Sequence, residues 1–232
     1  MQRRQFHHTS LAGALLCVTA QHAWALSLGD LTQADASSGV KAALGQGAQA
    51  AVALLGRADG FLGNPQVRIG LPGYLEDAAK ILKSLGQGRR VDELITAMNR
   101  AAEEAVPMGK DLLVKAVQNM SVTDAKNILM GGSTSVTSFF AEKTRQPLGE
   151  RFLPVVNQAT EKVGLTQKYN AVASKAAGMG LLKPEEASLS QYVTGKTLDG
   201  LYFMIGEEER RIRQDPAGAG SAIVRKVFGT LR

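Results

Sequence analysis

Apolar residues recur at three- and four-residue steps along most of the chain, which is the spacing of one face of an α-helix. The first such stretch holds Val40, Leu44, Ala48, Ala51 and Leu55. It begins near Thr32 and Asp35, whose side chains can satisfy free amides at a helix N-terminus. Gly56 follows, and we expect it to end the helix in the left-handed conformation that glycine adopts readily.

Several later residues predict where other helices begin or break. Ser121 and Asp124 form a second capping box. Pro107 lies within an apolar-periodic stretch and predicts a kink or a break, since proline lacks the amide that a helix interior needs. Residues 59–72 are predicted to be irregular or extended, and the alternation Val67-Arg68-Ile69 allows a short strand or an edge-like arm there.

The second half of the chain continues the helical pattern. Two helices are predicted in succession, one around Phe139 and a longer one around Phe152. The most apolar helix begins at Ser188 and runs into the charged residues 207–213. With about eight to ten helices and mostly short connections, the sequence predicts an all-α, single-domain, multi-helix bundle.

The first residues have the three parts of an export signal. Arg3 and Arg4 supply positive charge, an apolar run too short to span a bilayer follows, and Ala23-Trp24-Ala25 fits a small-x-small cleavage site. We therefore expect residues 1–25 to be a signal peptide and residues 26–232 to be a periplasmic helical domain. The paired arginines also fit a twin-arginine signal, so the export route stays open.

Loss of this leader would remove several kinds of reactive group. The only cysteine, the only tryptophan and all three histidines lie within it, as Cys17, Trp24, His7, His8 and His22. Without imidazole or thiol, the mature chain can build neither a Ser-His-Asp nor a Cys-His hydrolase. It also lacks the usual zinc and copper ligands, so we expect no metal and no cofactor.

The charge that remains is weakly basic. Cleavage lowers the formal net charge from +6 to +4 because Arg3 and Arg4 leave with the leader. Such an excess favours anionic surfaces such as lipid head groups or wall polymers. The chain lacks the basic and aromatic interleaving of nucleic-acid-binding proteins, and no later stretch is apolar enough to span a bilayer. We therefore expect neither a nucleic-acid partner nor a transmembrane segment.

A series of short blocks carries a resemblance to a known family. In order, the chain contains Gly60-Phe61, Val67-Arg68-Ile69, Leu71-Pro72, Met98-Asn99-Arg100-Ala101-Ala102-Glu103, Met120-Ser121-Val122-Thr123-Asp124-Ala125-Lys126, Lys168-Tyr169-Asn170, Tyr192-Val193, Leu198-Asp199-Gly200-Leu201 and Lys226-Val227-Phe228-Gly229. The series resembles the bacterial exported family catalogued as DUF4197, a domain of unknown function, over nearly the whole mature chain. The resemblance implies a helical envelope protein and no particular activity.

Carboxylates are the main candidates for chemistry. Glu103 and Glu104 are candidate catalytic residues, since a buried glutamate can act as a general acid on wall glycan. Glu103 lies four residues after Asn99, so the two share a helix face. Asp199 lies among leucines in the most apolar helix, where a buried aspartate needs a partner. We expect an ion pair with an arginine there, with a ligand contact as the alternative.

A glycine-rich turn is a second candidate ligand-binding site. Gly132, Ser133 and Thr134 open a predicted helix with free amides and hydroxyls, which can hold a phosphate or a carboxylate. A simple helix cap is the alternative, and the lysine of a Walker motif is missing.

Two further patterns have structural interpretations. Glu207 with Arg211 and Glu209 with Arg213 are i,i+4 pairs that predict a solvated face. A stripe of small residues on the first helix allows either close helix packing or a groove for an acyl chain; it consists of Gly45, Gly47, Ala48, Ala50 and Ala51.

These observations favour a non-enzymatic binding or interaction module of the envelope. Its partner would be an apolar or anionic ligand, a lipid, an anionic polymer or another envelope protein. The alternatives are a carboxylate-dependent enzyme acting on cell-wall glycan and a purely structural accessory. An apolar cavity above about 300 Å³ would favour a lipid-like ligand.

Overall fold

The computed structural model describes residues 32–84, 86, 88–132, 135–161, 166–167, 169–170, 178 and 188–229. Every regular element in these ranges is a helix, which confirms the predicted all-α class. The α-helices are α1 (Gln33–Leu55), α2 (Gly73–Ser84), α3 (Gly88–Ala105), α4 (Lys110–Gln118), α5 (Val122–Met130), α6 (Ser135–Glu161), α7 (Leu189–Gln214) and α8 (Ala222–Gly229). The predicted leader lies outside the described residues, so the signal peptide and the total number of helices stay predictions.

The three longest described helices are α1, α6 and α7. α6 and α7 share the largest helix–helix interface, and α1 packs on α7 while also contacting α4, α5 and α8. α3 packs on α6, and α2 lies against α3. The buried apolar side chains of these helices form one continuous cluster. α1 and α8 approach so closely that a Cβ added at Gly39 would overlap the Val227 side chain.

α1 begins near Thr32 and ends at Gly56 as predicted, but Gly56 does not have the predicted conformation. The Thr32 Oγ1 atom accepts a hydrogen bond from Asp35 N at 3.0 Å, which confirms the predicted start. Gly56 has a φ of −79°, so the predicted left-handed conformation is wrong. The residue serves a close approach instead, because an added Cβ would lie 2.6 Å from Pro107 Cγ.

The prolines act differently at two places in the chain. The break predicted at Pro107 is confirmed, since α3 ends at Ala105 and a 3₁₀ turn, Val106–Gly109, leads into α4. In contrast, α6 runs through Pro147 and Pro154, so the two helices predicted there are one. Both prolines are exposed, and water can therefore hydrogen-bond the carbonyl that each leaves without an amide partner.

α7 begins after Ser188 as predicted, although the Ser188 side chain makes no capping hydrogen bond. Leu189 N donates instead to Asn170 Oδ1 at 2.9 Å. At the far end of α7, the predicted pairing of Glu207 with Arg211 is wrong. Glu207 bonds to the residue three positions later, Arg210.

The second predicted pair on α7, Glu209 with Arg213, does form, but not on a solvated face. The Glu209 side chain is only 4% exposed. Arg213 Nη2 donates to Ile128 O at 2.7 Å, and the guanidinium lies 5.6 Å from the centre of the Phe228 ring. The pair therefore caps the C-terminal end of α5, where carbonyls lack helical partners.

Candidate functional site

Residues 57–71, called here the strap, lie against α3 and α7 without regular secondary structure. The prediction of an irregular or extended segment is therefore confirmed, while the short strand that the alternation allowed at residues 67–69 does not form. The backbone hydrogen bonds within the strap close local turns, as from Gly60 N to Arg57 O at 3.0 Å. Since no strand ladder satisfies the remaining backbone groups, side chains of the neighbouring helices have to do so.

Asn99 on α3 satisfies both peptide groups of one strap residue. Its Oδ1 accepts from Ile69 N at 2.8 Å, and its Nδ2 donates to Ile69 O at 2.9 Å. Nδ2 also donates to Ile95 O at 2.7 Å. Asn99 is fully buried, and this pairing replaces the partner that a neighbouring strand would supply.

Glu103 lies one turn further along α3 and holds the other part of the strap. Its Oε1 accepts from Phe61 N at 3.0 Å and from Leu62 N at 3.1 Å. Its Oε2 accepts from Arg100 Nη1 at 2.6 Å, and the side chain is only 6% exposed. Both carboxylate oxygens are thus occupied by donors of the protein itself.

Arg100 links Glu103 to the outer edge of the strap. It also donates to Asp59 Oδ1 at 2.8 Å. The hydrogen bond to Glu103, and then the one to Asp59, raise the pKa of the Arg100 guanidinium above its ordinary value. Asp59 has a φ of 63°, a left-handed conformation that aspartate tolerates.

α7 contacts the strap from the other side. A Cβ added at Gly200 would lie 2.9 Å from Phe61 Cε1 and 3.2 Å from Val67 Cβ. Tyr192 also donates through its hydroxyl to Gly70 O at 3.1 Å. Blocks of the resemblance that lie far apart in the sequence therefore meet at the strap.

The two candidate catalytic glutamates lie in different environments. Glu103 is buried and holds the strap, whereas Glu104 is exposed on the outer side of α3. A general acid must present an oxygen to its substrate, whereas both Glu103 oxygens accept hydrogen bonds from the protein itself. The structure therefore assigns Glu103 a part in holding the backbone.

The other candidate ligand-binding residues are separate from this cluster. The predicted burial of Asp199 is wrong, since its side chain is 52% exposed, but the predicted arginine pair forms with Arg145 Nη2 at 2.8 Å. Gly132 is exposed, and its carbonyl accepts from Ser135 Oγ at 2.9 Å. Ser133 and Thr134 lie outside the described residues, so the anion cradle stays a prediction.

An open groove of about 280 Å³ lies between α4, α5 and α6 and is called here the α4–α6 groove. Its wall combines apolar side chains with a few polar and charged ones; they are Leu112, Lys115, Ala116, Asn119, Met120, Asp124, Phe139, Lys143, Thr144 and Pro147. Phe139 and Met120 are buried against the core, while both lysines are exposed. The groove thus joins an apolar surface to two ammonium groups.

The charged residues of this groove differ in how far they are already paired. Asp124 Oδ2 accepts from Ser121 Oγ at 2.7 Å and from Ser121 N at 3.0 Å, which confirms the predicted capping box. These bonds lower the pKa of Asp124. Lys143 bonds to the exposed Glu142 at 2.8 Å, and this raises the pKa of Lys143. Lys115 has no ionic or hydrogen-bonded partner among the described residues.

A second open groove, of about 310 Å³, lies between α1 and α7. Gly47 and Ala50 of the small-residue stripe line it, whereas Ala48 and Ala51 are packed in the core. The stripe therefore lies partly in the packed core and partly along this groove, and its use as an acyl-chain groove stays a prediction. The other lining residues include Glu208, Arg211 and Asp215, so the wall of this groove carries charges of both signs.

Metal ligands and membrane spans can be considered for the described residues. No group of three or more His, Cys, Asp or Glu side chains in that part of the chain is arranged to hold a metal ion. Among the described helices, none has the length and apolar character needed to cross a membrane.

The chain is an all-helical protein in which side chains of the bundle hold an irregular strap. The chain belongs to the DUF4197 family, whose members are described as proteins of unknown function. The match covers residues 30–229 and confirms the resemblance. Comparison with curated proteins and with solved structures gave no match.

Proposed function

We propose that this protein is a non-enzymatic binding module of the bacterial envelope, and that its α4–α6 groove binds an anionic amphiphile. The observation that carries the proposal is the pair Lys115 and Lys143 beside a largely apolar wall. Asp124, the acid of this wall, lies in the first turn of α5, where the helix dipole offsets part of its negative charge. The lysines therefore favour an anionic head group.

The size of the groove narrows the ligand class. A volume of about 280 Å³ lies just below the range of ligand pockets, roughly 300–1,000 Å³, and below the volume expected for a whole lipid-like ligand. It suits one short acyl segment better than a whole lipid. Lys143 can turn towards the head group, since its pair with Glu142 is exposed and water screens such surface ion pairs.

The glycan-cleaving enzyme has less support. Such enzymes use two carboxyl groups on either side of the scissile bond. Glu103 is engaged by Phe61, Leu62 and Arg100, and Glu104 lies exposed beside it. No observation on the described residues favours this alternative over binding.

Export to the periplasm is part of the proposal. The family match begins at residue 30, after the predicted leader, and this supports a leader of residues 1–25. N-terminal sequencing of the protein isolated from the periplasm should give Leu26 as the first residue. A protein that remains in the cytoplasm and begins at Met1 would contradict the proposed location.

Calorimetric titration with dodecanoate tests the binding site. We expect saturable binding that Lys115→Gln combined with Lys143→Gln weakens about 5-fold, since each exposed charge contributes up to roughly 1 kcal/mol. Ala116→Phe, which fills the groove, should weaken it further. Lys126→Gln is the matched control, because Lys126 is an exposed lysine of α5 that does not line the groove. Absence of saturable binding, or equal affinity in all variants, would refute the site.

A further inference from the structure

The attachments of the strap are concentrated on two side chains. Four hydrogen bonds join its backbone to Asn99 and Glu103, which lie one helical turn apart on α3. The strap has no ladder with another element, and its own backbone bonds only close local turns. A helix, in contrast, keeps its internal ladder when one side chain is removed.

We infer that the strap is a lid that opens separately from the helices, and that the hydrogen bonds of Glu103 keep it closed. A segment opens locally when few interactions tie it to the rest of the protein. Loss of the Glu103 carboxylate would free the amides of Phe61 and Leu62 at once and would remove the Glu103 partner of Arg100, the residue that also bonds to Asp59. Asn99 also makes two hydrogen bonds to the strap, but both are to Ile69, whereas Glu103 holds two successive strap amides and pairs with Arg100.

The apolar residues of the strap determine what opening would expose. Three apolar residues of the strap itself are buried, namely Phe61, Val67 and Ile69. The first two lie against Gly200 of α7. Their burial makes the closed strap the ground state, so the open form is a minor population. Opening would uncover an apolar cleft between α3 and α7, on residues other than those of the α4–α6 groove.

Hydrogen exchange read by mass spectrometry tests this inference on the full chain. We expect Glu103→Gln to raise exchange of the strap amides at least about 10-fold, since charge-assisted hydrogen bonds to the strap are weakened. Exchange in α6 and α7 should stay as in the wild type. Glu103→Ala should raise strap exchange further. If Glu103→Ala does not fold, the exchange rates of Glu103→Gln alone test the inference.

Glu104→Gln is the matched control, because it removes the neighbouring carboxylate from an exposed position. It should exchange like the wild type throughout. Two results would overturn the inference. One is strap exchange that Glu103→Gln leaves unchanged, and the other is an equal rise in the strap, α6 and α7, which would mean that the strap opens only with the whole fold.

Discussion

The strap and the α4–α6 groove use polar residues in opposite ways. At the strap, Asn99 and Glu103 are buried and every one of their oxygen atoms is hydrogen-bonded within the chain. At the groove, Lys115 is exposed and free of partners among the described residues. The comparison teaches that a residue type common in active sites is weak evidence for a site when its side chain hydrogen-bonds buried backbone groups. A plain lysine beside an uncovered apolar wall is the better candidate.

The difference follows from the local backbone. The strap forms no helix and no strand, so its buried amides and carbonyls require side-chain partners. The groove is built from helices whose backbone groups are satisfied internally, which leaves their side chains free for other contacts. Substitutions that change one contact at a time distinguish side chains that hold the strap backbone from side chains that are free for other contacts.

The largest effect is expected for Asn99→Ala. It leaves the buried N–H and C=O groups of Ile69 without partners, and each unsatisfied group costs about 1–3 kcal/mol. We expect the free energy of unfolding in urea to fall by about 2–4 kcal/mol. Asn127→Ala changes an exposed asparagine in α5 and should leave stability within about 0.5 kcal/mol. If Asn99→Ala lowers the free energy of unfolding no more than Asn127→Ala does, then Asn99 does not hold the strap.

An intermediate effect is expected where α7 meets the strap. Gly200→Ala would place a Cβ 2.9 Å from the buried ring of Phe61. Overpacking costs about 1–3 kcal/mol and the gain in helix propensity is about 1 kcal/mol, so we expect a net loss of roughly 1 kcal/mol.

Gly195→Ala is the matched change in the same helix. An added Cβ there meets nothing within 4 Å, so the substitution should stabilise the fold by about 0.5–1 kcal/mol. Thermal unfolding of both variants measures the contrast. If both glycines respond alike, the close approach of the strap to α7 is not a constraint on position 200.

The features that were predictable from sequence are local ones. The Thr32 start, the Pro107 break and the Ser121–Asp124 capping box each depend on residues within one helical turn. Asp199 shows the limit of such reasoning. Its neighbours Leu198 and Leu201 are buried, but one step along a helix turns the side chain by about 100°, and this carries Asp199 to the surface.

The candidate site was only partly predictable because its contacts are distant in sequence. The sequence indicates Glu103 only as a candidate catalytic residue, because its partner Phe61 lies 42 positions away; likewise Ile69 lies 30 positions from Asn99. Asn99 did offer a signal, as a polar residue beside Met98 on the buried face of α3. Nothing in the sequence pattern marks Lys115 and Lys143 as neighbours, since only the packing of α4 on α6 brings them to one groove.

The smallest effect is expected from the acid at the groove wall. Hydrogen bonds from Ser121 lower the folded-state pKa of Asp124 below its ordinary value of 3.8. Ionised Asp124 therefore stabilises the fold at pH values above its unfolded pKa, and this contribution is lost as the pH falls through the lowered folded pKa. Asp124→Asn should have a slightly lower Tm than the wild type at neutral pH, and the difference should shrink in acid.

Thermal unfolding of both proteins at about pH 7 and about pH 2.5 measures that change. Glu104→Gln serves as the reference for loss of one exposed carboxylate, and its Tm difference from the wild type should change less with pH. A Tm difference for Asp124→Asn that stays constant with pH would show that Asp124 is not held by Ser121. The acid of the α4–α6 groove would then lie outside the capping box, and the helix dipole alone would offset its negative charge beside Lys115 and Lys143.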